Sequence, residues 1–257
     1  MNLLSRIIQA FSLIGTKTYC PVCKKKNIAF YPLPELYRLN AERHSFFHFG
    51  KGEMTALDTY SCAECGASDR ERLYAFWITN ELMNNRNLTS GKTIHFAPEH
   101  SLSLFIKSLK VFDDYQTADL LMGNVNHNVD LMKLPFPAES YNFFICSHVL
   151  EHVVDDHAAI CELFRITKKG GSGILMAPIF VGVPETIEDP TITDEGERWR
   201  LFGQNDHIRL YSHNDYVARI ETCGFHVKQL DETYFGASVF KMLGLKRTSI
   251  LYIVTKP

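Results

Sequence analysis

From Lys92 to the C-terminus, short apolar runs alternate with stretches of helical periodicity, and this alternation constrains the fold more than any other feature. The runs are Thr93-Ile94-His95-Phe96-Ala97, a segment leading to Ala118, Asn142 to Cys146, and Gly173 to Ile179; helical patterns lie at 102–109 and at about 155–167. A strand followed by a helix and a further strand closes economically only as a parallel pair with the helix packed on one face, so the expected class is α/β with a doubly wound, mostly parallel sheet. The tail departs from this. Ser212 with Asp215 three residues on caps a helix ending near Gly224, and 225–230 and 250–255 read as two late strands forming an antiparallel edge pair. There is no internal repeat and no low-complexity tract.

The N-terminal part obeys a different rule. Of seven cysteines, four fall in two pairs, Cys20-Pro-Val-Cys23 and Cys62-Ala-Glu-Cys65. Each pair presents two thiolates, and together they suit one tetrahedral structural zinc. The 38 residues between the pairs exceed those of a simple ribbon, which predicts a long insertion. Residues 18–67 therefore read as a zinc-ribbon module. Ser68 with Glu71 forms a capping box that opens a bridging helix over 68–87, and the α/β domain occupies 88–257. Residues 1–17 carry Leu3, Leu4, Ile7, Ile8, Phe11 and Ile14 at helical spacing and read as an amphipathic helix docked on the protein, with membrane contact the lesser reading; the apolar run is too short and broken to span a bilayer. Cys146, Cys161 and Cys223 lie in apolar segments and read as buried thiols. Paired metal-type cysteines and no signal peptide imply a reducing, cytoplasmic setting.

Composition narrows the partners. With 46% hydrophobic residues over 257 positions the chain can build a large core, which excludes a disordered protein. The formal charge of −2 leaves no global basic footprint, which weighs against nucleic acid and favours a small-molecule or carrier-linked substrate.

In an open α/β sheet a ligand lies across the carboxyl ends of the strands, so 98–100, Asp119, Asp130, Ser147, His148 and Pro178 matter most. The stretches Val129-Asp130-Leu131-Met132-Lys133-Leu134-Pro135-Phe136, Tyr141 to Val153 (YNFFICSHVLEHV) and Phe164-Arg165-Ile166-Thr167-Lys168-Lys169-Gly170-Gly171 match, in order and spacing, the class I S-adenosylmethionine-dependent methyltransferases, which the chain resembles over roughly 88–257. That resemblance implies a seven-stranded Rossmann-like sheet and S-adenosylmethionine as cofactor. It implies that Asp119 binds the ribose hydroxyls, that Asp130 and Leu131 contact the adenine, and that Ser147 and His148 lie beside the transferred methyl. The first motif departs: the family shows a glycine-rich turn there, whereas Ile94-His95-Phe96-Ala97-Pro98-Glu99 contains no glycine. The motif is similar to a glycine-free variant in bacterial methyltransferases with an N-terminal zinc ribbon, which implies that Ala97, Pro98 and Glu99 hold the methionine part, with Glu99 paired to its amino group.

His148, Glu151 and His152 stand at i, i+3 and i+4, which would put three ligands on one helical face, and His207 could supply a further imidazole. The pattern is similar to Glu-x-x-Glu-His in the metal-using ubiquinone-pathway and small-RNA branches, with His148 in place of the first Glu. Such a nitrogen-rich set suits zinc or iron better than magnesium. Without a metal, His148 or His207 would act as general base, oriented by Glu151 or Asp206. Arg198, Arg200 and Arg209, with Trp199 and Tyr211, lie in a charged segment that reads by default as a solvated lid, with substrate contact as the sharper alternative. The expectation is a methyltransferase, at oxygen, of a small or carrier-linked metabolite such as a sugar or phosphorylated compound. The alternatives are an RNA methyltransferase and a non-catalytic methyltransferase-like partner subunit.

Overall fold

A computed structural model of the chain describes residues 17–257 except Asn84. The amphipathic helix expected over 1–17 falls, apart from Lys17, outside the described residues.

The first elements are short. A hairpin of β1 (Tyr19–Cys20) and β2 (Lys25–Lys26) is followed by β3 (Phe30–Tyr31), helix α1 (Glu35–Arg43) and β4 (Ser61–Cys62), which pairs antiparallel with β3. Helix α2 (Asp69–Trp77) begins at the capping box: the Ser68 side chain accepts from the Glu71 amide, and the Glu71 carboxylate accepts from the Ser68 amide. It continues through a π-helical turn, Ile78–Leu82, to the one-turn helix α3 (Arg86–Thr89). Then come β5 (Lys92–Phe96), α4 (His100–Leu109), β6 (Asp114–Asp119), β7 (His127–Asn128), β8 (Tyr141–Ser147), α5 (Asp156–Ile166) and β9 (Thr167–Met176). The remainder is β10 (Ile187–Glu188), α6 (Glu195–Phe202), β11 (Arg209–Leu210), α7 (His213–Thr222), β12 (His226–Leu230), α8 (Glu232–Phe235), α9 (Ala237–Leu243) and β13 (Leu251–Thr255).

Seven strands form one sheet in the order β7-β6-β5-β8-β9-β13-β12. All neighbours are parallel except that β13 runs antiparallel to both β9 and β12. The mostly parallel seven-stranded expectation holds. The two late strands do pair antiparallel, but the last strand is not outermost: β13 inserts between β9 and β12. Burial explains the order, since Leu251, Tyr252, Ile253 and Val254 are all buried whereas β12 is largely exposed. The central strands read as continuous apolar runs because helices cover both faces, and Phe143, Phe144, Ile145 and Cys146 of β8 are fully buried. Chain order reverses between β5 and β8, which opens a crevice at their carboxyl ends.

Arg72 ties the cysteine module to this body. Fully buried, it donates to the carbonyls of Thr59, Tyr60, Ala67 and Leu243, and its guanidinium lies 3.9 Å from the centre of the Phe30 ring. One cysteine expectation is corrected. Cys146 is a buried free thiol, but Cys161 and Cys223 are joined as a disulfide between α5 and the end of α7, with Cα atoms 5.1 Å apart. Residues 62 apart meet because both helices pack together, and no local pattern signals that. Among the described residues, no helix is long and apolar enough to cross a membrane.

Candidate functional site

The carboxyl end of β5 achieves without glycine what a glycine-rich turn would supply. Ala97 takes a left-handed conformation, φ 45°, and its amide donates to the Ala118 carbonyl at 2.8 Å, which sets the β5 exit against the end of β6. Glu99 then folds back onto its own strand: Nε2–H of the fully buried His95 donates to Glu99 Oε2 at 2.9 Å, and His95 Nδ1 is hydrogen-bonded to the Tyr115 hydroxyl at 2.8 Å. Arg70, from the first turn of α2, lies 3.6 Å from Glu99 Oε1. Burial pushes the Glu99 carboxyl up, but the His95 hydrogen bond and the charges of His95 and Arg70 outweigh it and hold the group down at about 2. Neither Arg70 Nε nor Glu99 Oε1 has a hydrogen-bond partner although both are buried. A zwitterionic amino acid is the kind of group that would satisfy both, its carboxylate on the arginine and its ammonium on the glutamate. Sequence reasoning did not single out Arg70; the signal was its place in the capped first turn of a helix whose other residues there are buried.

The next predicted residues line up along neighbouring strand ends. Asp119 closes β6, where its Oδ1 accepts from the amides of Leu121 and Met122 at 2.7 and 2.8 Å, and the Val129 amide donates to its carbonyl. Leu120 and Leu121 stand exposed beside it. Asp130 Oδ1 accepts from the Met132 amide at 2.8 Å, and Leu131 is buried. Ser147 is turned inward, its hydroxyl hydrogen-bonded to Tyr74 at 3.1 Å.

The imidazole cluster is assembled differently from expectation. Residues 148–154 form a turn, not a helix, and α5 starts only at Asp156 under an Asp155 cap. His148 leaves β8 with φ 57°, pinned by its amide to the Met176 carbonyl at 2.9 Å. Glu151 is fully buried at the centre of the cluster, its Oε1 3.3 Å from His148 Nδ1, 3.8 Å from His152 Nε2 and 3.9 Å from His207 Nε2. The amide of Ile208 donates to the Glu151 carbonyl at 3.0 Å and so carries His207 in from a distant segment. Asp206 is exposed at the rim, 3.5 Å from His152 Nδ1. Burial pushes the Glu151 carboxyl up, but the His148 contact and the surrounding imidazoles hold it down at about 2; burial drives His207 down to about 4. Both Glu151 oxygens, His148 Nε2 and His207 Nδ1 are buried without a hydrogen-bond partner. Ligand atoms of Glu151, His152 and His207 lie within 4.8 Å of one another.

This cluster floors a cavity of about 330 Å3 that also reaches Arg70. Its opposite wall is the insertion between the cysteine pairs, with Leu33, Tyr37, Phe46, Phe49, Met54 and Leu57 among the lining residues. The insertion is held in place: Glu53 accepts from the Tyr252 hydroxyl at 2.7 Å and from His213 at 2.6 Å, the Ala56 amide donates to Asp69 at 2.6 Å, and Lys246 donates to the Gly50 carbonyl at 3.1 Å. The arginines of the lid segment turn away. Arg209 is buried on the carbonyls of Leu150, Val153 and Val154 and pairs with Glu188; Arg198 donates to the Ile192 carbonyl; Arg200 pairs with Glu197. Tyr211 is buried, donating to Asp156 at 2.6 Å, and Trp199 stacks on His44. The solvated-lid expectation is corrected for Arg209 and Tyr211, which are buried packing residues, and none of the five lines the cavity.

Away from the cavity, the sulfurs of Cys20, Cys23, Cys62 and Cys65 gather within 4.8 Å, Cys20 lying 3.7 Å from Cys65 and Cys23 3.9 Å from Cys62. Four thiolates at about 2.3 Å from a tetrahedral zinc would be about 3.8 Å apart, so the donor set fits that ion.

Residues 109–175 match the family model of a methyltransferase domain. The matched stretch runs from the end of α4 to near the end of β9 and includes Asp119, Asp130, His148 and Glu151. The strand order, with its single antiparallel strand β13, is that of the class I methyltransferase sheet. No curated protein matches the chain. Among solved structures it is similar to YcgJ of Bacillus subtilis (13% identity, 65% of this chain and 92% of that one, TM-score 0.42). It is also similar to a methyltransferase of Archaeoglobus fulgidus described as SAM-dependent (11%, 75% and 96%, 0.46). A third is the complex of the Haloferax volcanii Trm112 methyltransferase activator with a putative methyltransferase (15%, 74% and 93%, 0.42).

Proposed function

We propose that this chain is an S-adenosylmethionine-dependent methyltransferase acting at oxygen on a small or carrier-linked metabolite. The observation that carries the reading is the pair of buried atoms without hydrogen-bond partners, Arg70 Nε and Glu99 Oε1, beside the left-handed exit of β5, with Arg70 lining the same cavity as His148 and Glu151. Arg70 and Glu99 take the two charges of the methionine part, Asp119 takes the ribose, and Leu120, Leu121 and Leu131 flank the adenine. Methyl transfer is an in-line displacement, so alignment of donor and acceptor supplies most of the acceleration. Glu151 orients His148 through Nδ1, leaving Nε2 to accept the proton of an acceptor hydroxyl. That transfer breaks the O–H bond, forms the O–CH3 bond, and leaves the electron pair of the broken S–CH3 bond on sulfur.

A second reading of the floor rests on the approach of Glu151, His152 and His207. These three, with His148, would hold a divalent transition metal, which would lower the pKa of a bound hydroxyl. Metal analysis of the purified protein separates the two: one equivalent of zinc per chain belongs to the cysteine cluster, and a second equivalent that disappears in His207→Ala belongs to the floor.

Isothermal titration with S-adenosylmethionine and S-adenosylhomocysteine tests the function. Binding of either, weakened at least about tenfold by Arg70→Met, is the expected result, because a charge-assisted pair to a carboxylate contributes about 1.5–3 kcal/mol. Absence of binding by both would remove the cofactor claim and leave a non-catalytic methyltransferase-like subunit.

A further inference from the structure

The cavity has two chemically distinct ends, and their contrast defines what fits between them. Its floor is carboxylate and imidazole: Glu151, Asp206 and three histidines. The far wall is ring-rich and apolar, and it comes from the insertion together with Phe180 and Phe202. Among the described residues lining it there is no lysine, and its one arginine, Arg70, lies against Glu99. The arginines nearest in sequence are spent on carbonyls and carboxylates elsewhere, as described above. With Arg70 taken by the methionine part of the cofactor, a phosphate or carboxylate on the acceptor would meet two acidic side chains with no fixed cation left for it, and desolvating it would be costly. An uncharged ring would meet aromatic faces it can pack against.

The wall is also built rather than incidental. Thr55, which lines it, holds φ 71°, a left-handed conformation rare for a β-branched residue. The segment around it is clamped to β13 through Glu53, to the first turn of α2 through Ala56 and to the loop before β13 through Gly50, with the Glu53 amide donating to the Ile179 carbonyl at 2.8 Å and the Val181 amide to the Lys51 carbonyl at 2.8 Å. Strain of this kind persists only where the surroundings enforce it, and here they hold Phe49 and Leu57 in the cavity lining, which Tyr37 of α1 completes.

We infer that the methyl acceptor is an electroneutral aromatic hydroxyl compound, its ring packed against the insertion between the cysteine pairs and its hydroxyl directed to His148 and Glu151. The inference rests on the methyltransferase reading for its chemistry, and on the cavity alone for its recognition. The cysteine module is thereby a specificity element: the insertion it anchors selects the acceptor.

The test uses the full chain saturated with S-adenosylhomocysteine, titrated with 2-naphthol as a neutral phenol and with glucose 6-phosphate as an anionic acceptor. Saturable 2-naphthol binding at least tenfold tighter than glucose 6-phosphate is expected. Tyr37→Ala and Phe49→Ala should each weaken it about three- to tenfold, the loss of one aromatic contact. Affinity for S-adenosylhomocysteine should stay within twofold in both variants, which also shows that they fold. Tighter binding of glucose 6-phosphate, no saturable 2-naphthol binding, or indifference to both substitutions would overturn the assignment. Failure of S-adenosylhomocysteine to bind at the outset would instead strike the methyltransferase reading, and 2-naphthol titration of the unliganded protein would still decide the recognition claim.

Discussion

Ala97 and His148 follow the two central strands with φ of 45° and 57°, and both stand in the proposed site. A non-glycine residue in this region costs about 1–2 kcal/mol, while glycine adds about 0.5–1 kcal/mol of unfolded-state entropy. Ala97→Gly should therefore raise stability by up to about 1 kcal/mol in urea unfolding, with cofactor affinity unchanged or improved; a clear loss would mean that the Cβ is needed for packing. Two residues further on, Glu99 gives the site an acid sensitivity. Its folded-state carboxyl is held at about 2, below the usual glutamate value, so its contribution is complete above the usual range and disappears as pH falls through that range toward 2. Wild type should lose stability between pH 5 and pH 3 more steeply than Glu99→Gln, which has no carboxyl to protonate; parallel profiles would show that Glu99 contributes nothing. The carboxylates and histidines of the site were legible in the sequence as residue types. What was not legible is the left-handed backbone that aims them, because Ala97 and His148 give no compositional sign of it.

At the scale of elements, α2 does more than bridge. Its capping box was readable from Ser68 and Glu71, and its apolar stripe from Leu73 and Trp77, because both are local patterns. The role of Arg72 was not, since its four carbonyl partners come from the cysteine module, from the residue before the cap, and from α9. Arg72→Met should destabilise the protein by about 3 kcal/mol or more, since several buried carbonyls lose their donor at once. Thermal unfolding checks this, and a shift of only a degree or two would show that water replaces the guanidinium. The same locality divides the other elements. The β5, β8 and β9 segments could be read from apolar runs, whereas the insertion of β13 between β9 and β12 and the meeting of Cys161 with Cys223 depend on packing between distant segments.

For the molecule as a whole, the cysteine cluster and the cavity belong to one device although their side chains do not touch. The two cysteine pairs close the base of an insertion that lines the cavity as the proposed acceptor wall, and the clamps at Glu53, Ala56 and Gly50 join it to β13, to the first turn of α2 and to the loop before β13. A zinc held by Cys20, Cys23, Cys62 and Cys65 would supply folding energy to the module, so removing it should loosen the insertion before the sheet. Treatment with a strong chelator at neutral pH should release zinc, lower the melting temperature, and weaken 2-naphthol binding far more than binding of S-adenosylhomocysteine. The asymmetry follows from construction: Glu99 and Asp119 stand on strand ends of the central sheet, whereas the acceptor wall hangs from the module. Tryptophan fluorescence gives an independent readout, because Trp199 stacks on His44 of the insertion, with ring centres 6.0 Å apart, and that contact should break as the wall moves. Equal loss of both ligands would show instead that the module and the sheet unfold as one unit, with Arg72 coupling them too tightly for the wall to act alone.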